Sequence, residues 1–171
     1  MDLIRRIITG RLDELADPRA RRALIIELFR QLTALDFRAL YSSPGWRTYL
    51  APHATLLSLT DSGLRGQVQA ALARGGQDHL ARIARAWRLM AGLLGFRLRA
   101  ESGVTFETLA ALVNAAMQGL VMTALTLPGT AAHSVTARPF DAPVSAEWSL
   151  PALGLGAIAT ALSGQAIERS E

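Results

Sequence analysis

The chain of 171 residues has no cysteine and no lysine, and all 18 of its basic residues are arginine. Without thiols there is no disulfide, no thiolate nucleophile and no sulfur-ligated metal, and the redox compartment stays open. The arginine bias is read as nucleotide composition of the gene rather than as function. Aromatic residues make up only 6% of the chain and β-branched residues are sparse, whereas Ala and Leu dominate. That balance favours an all-helical fold. The three histidines, His53, His79 and His133, are too far apart to share a helix at metal-ligand spacing. No GK[ST] phosphate loop, HExxH, GxSxG or EF-hand loop occurs. The letters GLGAIA at 154–159 imitate a dinucleotide fingerprint, but no strand precedes them and no ribose-binding acid follows at about twenty residues. The expectation is no enzyme, no cofactor and no metal.

Charge is missing from one long stretch. Between Thr108 and Ala137 there is no Asp, Glu, Lys or Arg. Overlapping its start, Val104–Leu127 opens as a helix: Thr105 is a candidate N-cap, Glu107 lies near the positive dipole end, and Val104 and Leu109 are spaced as a hydrophobic staple. Apolar residues then fall almost all the way round, which marks a helix buried on more than one side. Ala115, Gly119 and Thr123 recur every fourth residue, giving a small face that admits another backbone. Leu112 lies beside it. A helix near the C-terminus repeats the device in Ala152, Gly156, Thr160 and Gly164. Two helices that each carry a small face and an apolar face predict self-association.

The chain is long enough for one domain with a real core. Asp2–Ala16 reads as a first helix. Asp17-Pro18 caps and starts a second, running to about Leu40 with Leu24, Leu28, Leu32 and Leu35 inward. Ser43 caps a third over Trp46–Leu59, in which Pro52 is a kink or a stop. Thr60-Asp61-Ser62 starts a long helix to about Arg97. There Val68, Leu72, Leu80, Ile83, Trp87, Met90 and Leu94 share one face, and Arg74, Asp78, Arg82, Arg85 and Arg88 the other. Gly75-Gly76 interrupts this helix and predicts a bend, or a neighbour or ligand close by. His79 falls at the edge of the apolar arc. Pro128–Val144 reads as a mobile linker, and the last helix runs from Ser149 to about Ile167. No β-hairpin signal is evident.

Residues 1–99 hold 16 Arg and eight acids, and residues 100–171 two Arg and six acids. The basic half is read chiefly as a solvated outer layer around a neutral seam. The uncharged Leu109–Leu127 approaches membrane-spanning length. Its Asn114, Gln118, Thr123 and Thr126, and its lack of aromatic or basic flanks, favour a buried helix in a soluble dimer. MDLIRRIITGRL has charges inside its apolar pattern and is no signal peptide.

The succession Gly95-Phe96-Arg97-Leu98-Arg99, Gly103-Val104-Thr105-Phe106-Glu107-Thr108-Leu109-Ala110, Gly119-Leu120, a linker, and Glu147-Trp148-Ser149-Leu150-Pro151-Ala152-Leu153-Gly154 resembles the C-terminal regulatory domain of TetR-family transcriptional repressors. The likeness covers roughly residues 90–160 and extends more weakly to the front. It implies a cytoplasmic homodimer, built as a six-helix bundle whose last two helices pair with those of a second copy as a four-helix bundle. It also implies a pocket for a small apolar or aromatic effector. The pocket would fall among the second, third and fourth helices and the central one, with Phe29, Leu32, Trp46, Tyr49, His53, Leu72, His79, Ile83, Trp87 and Met117 as lining. Of these, Leu32, Leu72 and Ile83 are more readily explained as core. The family's N-terminal DNA-reading domain has no match here, so DNA contact is expected only through a missing domain. A second reading stays open: an interaction protein without a DNA reader that heterodimerises with full-length relatives.

Overall fold

The computed structural model describes residues 16–165. The expected first helix, Asp2–Ala16, lies almost wholly outside these residues, as does the last turn expected at 166–167. Six helices are described: α1 (Pro18–Ser42), α2 (Pro44–Ser58), α3 (Ser62–Leu94), α4 (Phe106–Thr126), α5 (Gly129–Ala132) and α6 (Leu150–Leu162). The expected helical class holds.

The helix starts follow local chemistry. Asp17 accepts from the Ala20 amide at 2.8 Å with Pro18 in the first turn, and Ser43 accepts from the Trp46 amide at 3.2 Å with Pro44 likewise placed. Asp61 caps α3 through the Leu64 amide at 2.8 Å, and Thr105 caps α4 through the Thr108 amide at 3.2 Å. Each supplies an acceptor to an amide with no partner inside its helix, worth about 1 kcal/mol apiece. Pro52 remains inside α2 rather than ending it. The Gly75-Gly76 pair does not interrupt α3. That helix ends instead at Gly95, whose φ of +68° is a left-handed C-cap that glycine adopts without a Cβ penalty.

Two short antiparallel pairs correct the expectation of no hairpin and of a loose linker. β2 (Ser134–Ala137) pairs with β3 (Ala146–Ser149), Val135 opposite Trp148. β1 (Phe96–Leu98) pairs with β4 (Ser163–Gln165), Arg97 opposite Gly164. Strands of three or four residues carry almost no periodic signal, and the β1 and β4 partners lie far apart in sequence. Between β2 and β3 the chain turns through Phe140 and Asp141, both at positive φ. This uncommon backbone is held by Arg22, whose Nη2 donates to the Asp141 carboxylate at 2.7 Å. Ala142 is buried, so the segment is a packed part of the fold.

α4 is the organising helix. Leu109, Ala110, Val113, Met117, Val121 and Ala124 are buried against α1, α3 and α6, and join Phe37 and Leu155 in the main core cluster. A second cluster holds Leu24, Leu28 and Leu94. α1 serves both: its first half faces the second cluster, and its later part turns Phe37 to the first. Residues 24 and 37 lie on nearly opposite sides of a 100° per residue helix. Leu35, expected inward, is therefore left exposed.

Burial on more than one side of α4 is not what this single chain shows. Ala111, Leu112, Ala115, Gly119, Met122 and Thr123 are exposed, with Leu112 and Met122 each 45% accessible.

Candidate functional site

Helix capping builds a cleft. The break between α1 and α2 is only Ser43, and its cap fixes the entry of α2 so that Trp46 and Tyr49 lie one above the other. Their rings stack at 5.0 Å between centroids with 23° between planes. Across from them α3 contributes Gly75, His79 and Arg82, spaced four and three residues apart and thus on one stripe. Leu40, Ser43 and Gly45 complete the lining of an open cleft of about 310 Å³. A Cβ added to Gly75 would meet nothing within 4 Å. The glycine thus leaves room in the cleft rather than admitting a neighbour.

His79 is the polar hinge of this cleft. Its Nε2–H donates to the Asn114 carboxamide oxygen of α4 at 3.2 Å, which leaves Nδ1 free of that bond. Asp36 on α1 feels the His79 ring electrostatically. Desolvation raises the Asp36 carboxyl above its ordinary value, opposed in part by His79. Two donors at the cleft have no acceptor among the described residues. The Trp46 indole N–H is buried without a hydrogen bond, and the exposed Arg82 guanidinium makes no ion pair or hydrogen bond. A buried donor left unpaired costs about 1–3 kcal/mol, so such groups usually have a partner.

The expected pocket residues divide. Trp46, Tyr49 and His79 come together as lining. His53 stands behind Tyr49, ring centroids 4.9 Å apart, with its Nδ1–H donating to the Tyr49 carbonyl at 3.0 Å. Trp87 is a core residue, against Phe29 at 6.0 Å and edge-on to Phe96 at 6.3 Å. Met117 is buried in the main cluster, and Leu32 packs on the second. Ile83 and Leu72 are half-buried on α3 and do not line the cleft. Sequence reasoning assigned Arg82 to the solvent face and passed over Asp36 and Asn114. The three-residue step from His79 to Arg82 was the available signal.

The expected self-association residues divide as well. Leu112, Ala115, Gly119 and Thr123 share the exposed face of α4, and Thr160 is exposed on α6 with Gly154, Ala157 and Ala161. Ala152 and Gly156 instead face the chain's own interior. A Cβ on Gly156 would lie 2.6 Å from the Phe140 ring, so this glycine makes room for an internal aromatic. Gly164 is not on the helix but in β4, since α6 ends at Leu162.

The raised Asp36 value has a measurable consequence. The folded chain binds that proton more tightly than the unfolded chain does. Its stabilising contribution is therefore full below the ordinary value of 3.8 and is lost as pH rises through the raised value. Asp36→Asn removes this loss. Thermal melts are expected to show the variant more stable than the native chain at pH 7, with the gap closing as pH falls below about 4. A variant that melts lower at pH 7 means that attraction to His79 outweighs desolvation.

Comparison with family models, with curated proteins and with solved structures finds no match to this chain.

Proposed function

We propose that this chain is the effector-binding and dimerisation module of a TetR-like transcriptional regulator. The observation that carries this reading is the double use of α4. One side reaches the cleft through Asn114 and His79; another is uncharged, small-sided and uncovered. An effector in the cleft therefore sits one helix width from the surface on which two copies would meet.

α4 is also long and apolar enough to cross a bilayer, with 28% of its most apolar window buried. Its neighbour argues against lipid. α3 packs along α4 and exposes Arg74, Asp78, Arg82, Arg85 and Arg88. Each charge at the centre of a bilayer costs about 2.5–3.5 kcal/mol. A second copy offers α4 the same uncharged face in place of lipid. The exposed Gly154, Ala157, Thr160 and Ala161 of α6 extend that face, as a four-helix dimer requires.

Two measurements test the reading. Sedimentation equilibrium in detergent-free buffer is expected to find a dimer at micromolar concentration. Thermal melts against a panel of apolar and aromatic small molecules are expected to rise for some of them, because a ligand bound only to the folded state stabilises it. A monomer overturns the dimer, and recovery in the membrane fraction replaces it with a bilayer. A panel without a shift removes the effector and leaves the interaction protein, whose heterodimers with full-length relatives native mass spectrometry would detect.

A further inference from the structure

Resting on the proposed dimer, the exposed side of α4 also fixes how the second copy sits. We infer that α4 pairs antiparallel with α4 of the second copy about a twofold axis at position 117, so that positions equidistant from 117 face each other across the seam.

The argument begins with symmetry. In the uncharged part of α4, 108–126, the exposed positions form pairs equidistant from 117, and none lacks its counterpart. Any straight stripe on a helix repeats in this way. The match of side chains does not follow from helix geometry. Ala115 is paired with Gly119, Leu112 with Met122, Ala111 with Thr123 and Thr108 with Thr126. In a twofold interface the contact of one residue with another implies the reverse contact, so a face that meets its own copy must match itself about a centre. Neither lipid nor an unrelated partner imposes that condition.

Packing supplies the second constraint. Positions 108, 112, 115, 119, 122 and 126 advance in alternate steps of four and three residues, the seam of two helices that cross at about 20°. Such helices lie closest at the crossing and diverge from it. Ala115 and Gly119 flank the centre and let the backbones close. Leu112 and Met122, the large exposed side chains of this stretch, stand five residues to either side, where the gap opens. Burial also leaves no hydroxyl stranded. Thr123 and Thr126 donate back to the Gly119 and Thr123 carbonyls at 2.9 and 3.0 Å, and the Thr108 hydroxyl meets that of Thr105 at 3.3 Å. The first charge beyond the seam, Glu107, is already paired with Arg88.

Because the chain has no cysteine, introduced thiols read this register directly. Leu112→Cys and Met122→Cys are made as two separate full-length proteins, both at exposed positions, and circular dichroism checks that each keeps its helices. Mixed while reduced, so that subunits exchange, and then oxidised, they are expected to yield a covalent dimer joined between positions 112 and 122, identified by mass spectrometry. Neither protein alone is expected to crosslink. Like positions would lie about 15 Å apart along the helices, beyond the reach of a disulfide. Ala111→Cys with Thr123→Cys repeats the test if either first variant loses its native spectrum. Crosslinking of each variant with itself means parallel copies in register and overturns the proposal. No disulfide in a mixture that sedimentation finds dimeric also overturns it, while the dimer itself stands. A monomer removes the dimer reading and this register with it.

Discussion

Replacing Trp148 by alanine is expected to lower stability by about 3–5 kcal/mol, the range for deleting a large buried aromatic. For a domain of this size that corresponds to roughly 10 °C in melting temperature. Trp148 is 1% exposed and meets Phe140 edge-on at 5.5 Å and 69° between planes. Phe140 in turn occupies the space above Gly156. Deleting the indole thus removes the filling between the β2–β3 hairpin and α6 and loosens the strained turn at Phe140 and Asp141 with it. Trp148→Phe makes a sharp contrast. The indole N–H of Trp148 is buried without a partner among the described residues. Its removal relieves an unsatisfied donor and offsets part of the lost volume, so the expected loss is about 1 kcal/mol or less. Urea titrations of the three proteins check both values. Equal losses for Ala and Phe would mean that the indole nitrogen has a partner in solution.

The second large effect is on assembly. Gly119→Arg is expected to convert the proposed dimer to a monomer without harming the fold. A Cβ at residue 119 meets nothing within 4 Å, so the monomer accommodates a side chain there. Replacing a mid-helix glycine even favours α4 by about 1 kcal/mol. In a dimer the same arginine would be buried, facing its own copy across a neutral seam. Leaving a buried charge unpaired costs at least about 3 kcal/mol, or more than 100-fold in dissociation constant. Gly66→Arg, on exposed α3 with the same open surroundings, controls for helix propensity alone. Sedimentation velocity across a concentration series reads the outcome. A Gly119→Arg protein that stays dimeric places the contact elsewhere on the surface.

These two sites show how the sequence and the fold share the information. Trp148 was legible only as one letter of a motif before an expected helix, because its burial depends on strands too short to show a pattern. Gly119 was legible as part of a small face, and the face is where the spacing put it. Gly156 shows the limit of that inference. It has the same four-residue spacing as its neighbours Ala152 and Thr160, yet it admits Phe140 from its own chain.

The cleft divides in the same way. The aromatic and histidine residues at its walls could be named in advance, since large amphipathic side chains at the edge of an apolar arc are few in this chain. Their companions could not. Arg82 falls on the polar side of α3, and only the position of α2 brings the cleft across to it. Asn114 looked like a lone polar residue in an apolar helix until His79, from another helix, was found beside it.

What the residues by themselves determined is therefore local: where four helices start, because a capping oxygen, joined at two of them by a proline, acts within one turn, and which face of α4 is small, because a four-residue spacing needs no partner. What only the tertiary structure decided is non-local. The pairing of β1 with β4, the change of buried face along α1 and the meeting of His79 with Asn114 all depend on residues distant in sequence. Such contacts depend on how whole helices pack, and no window of neighbouring residues records that.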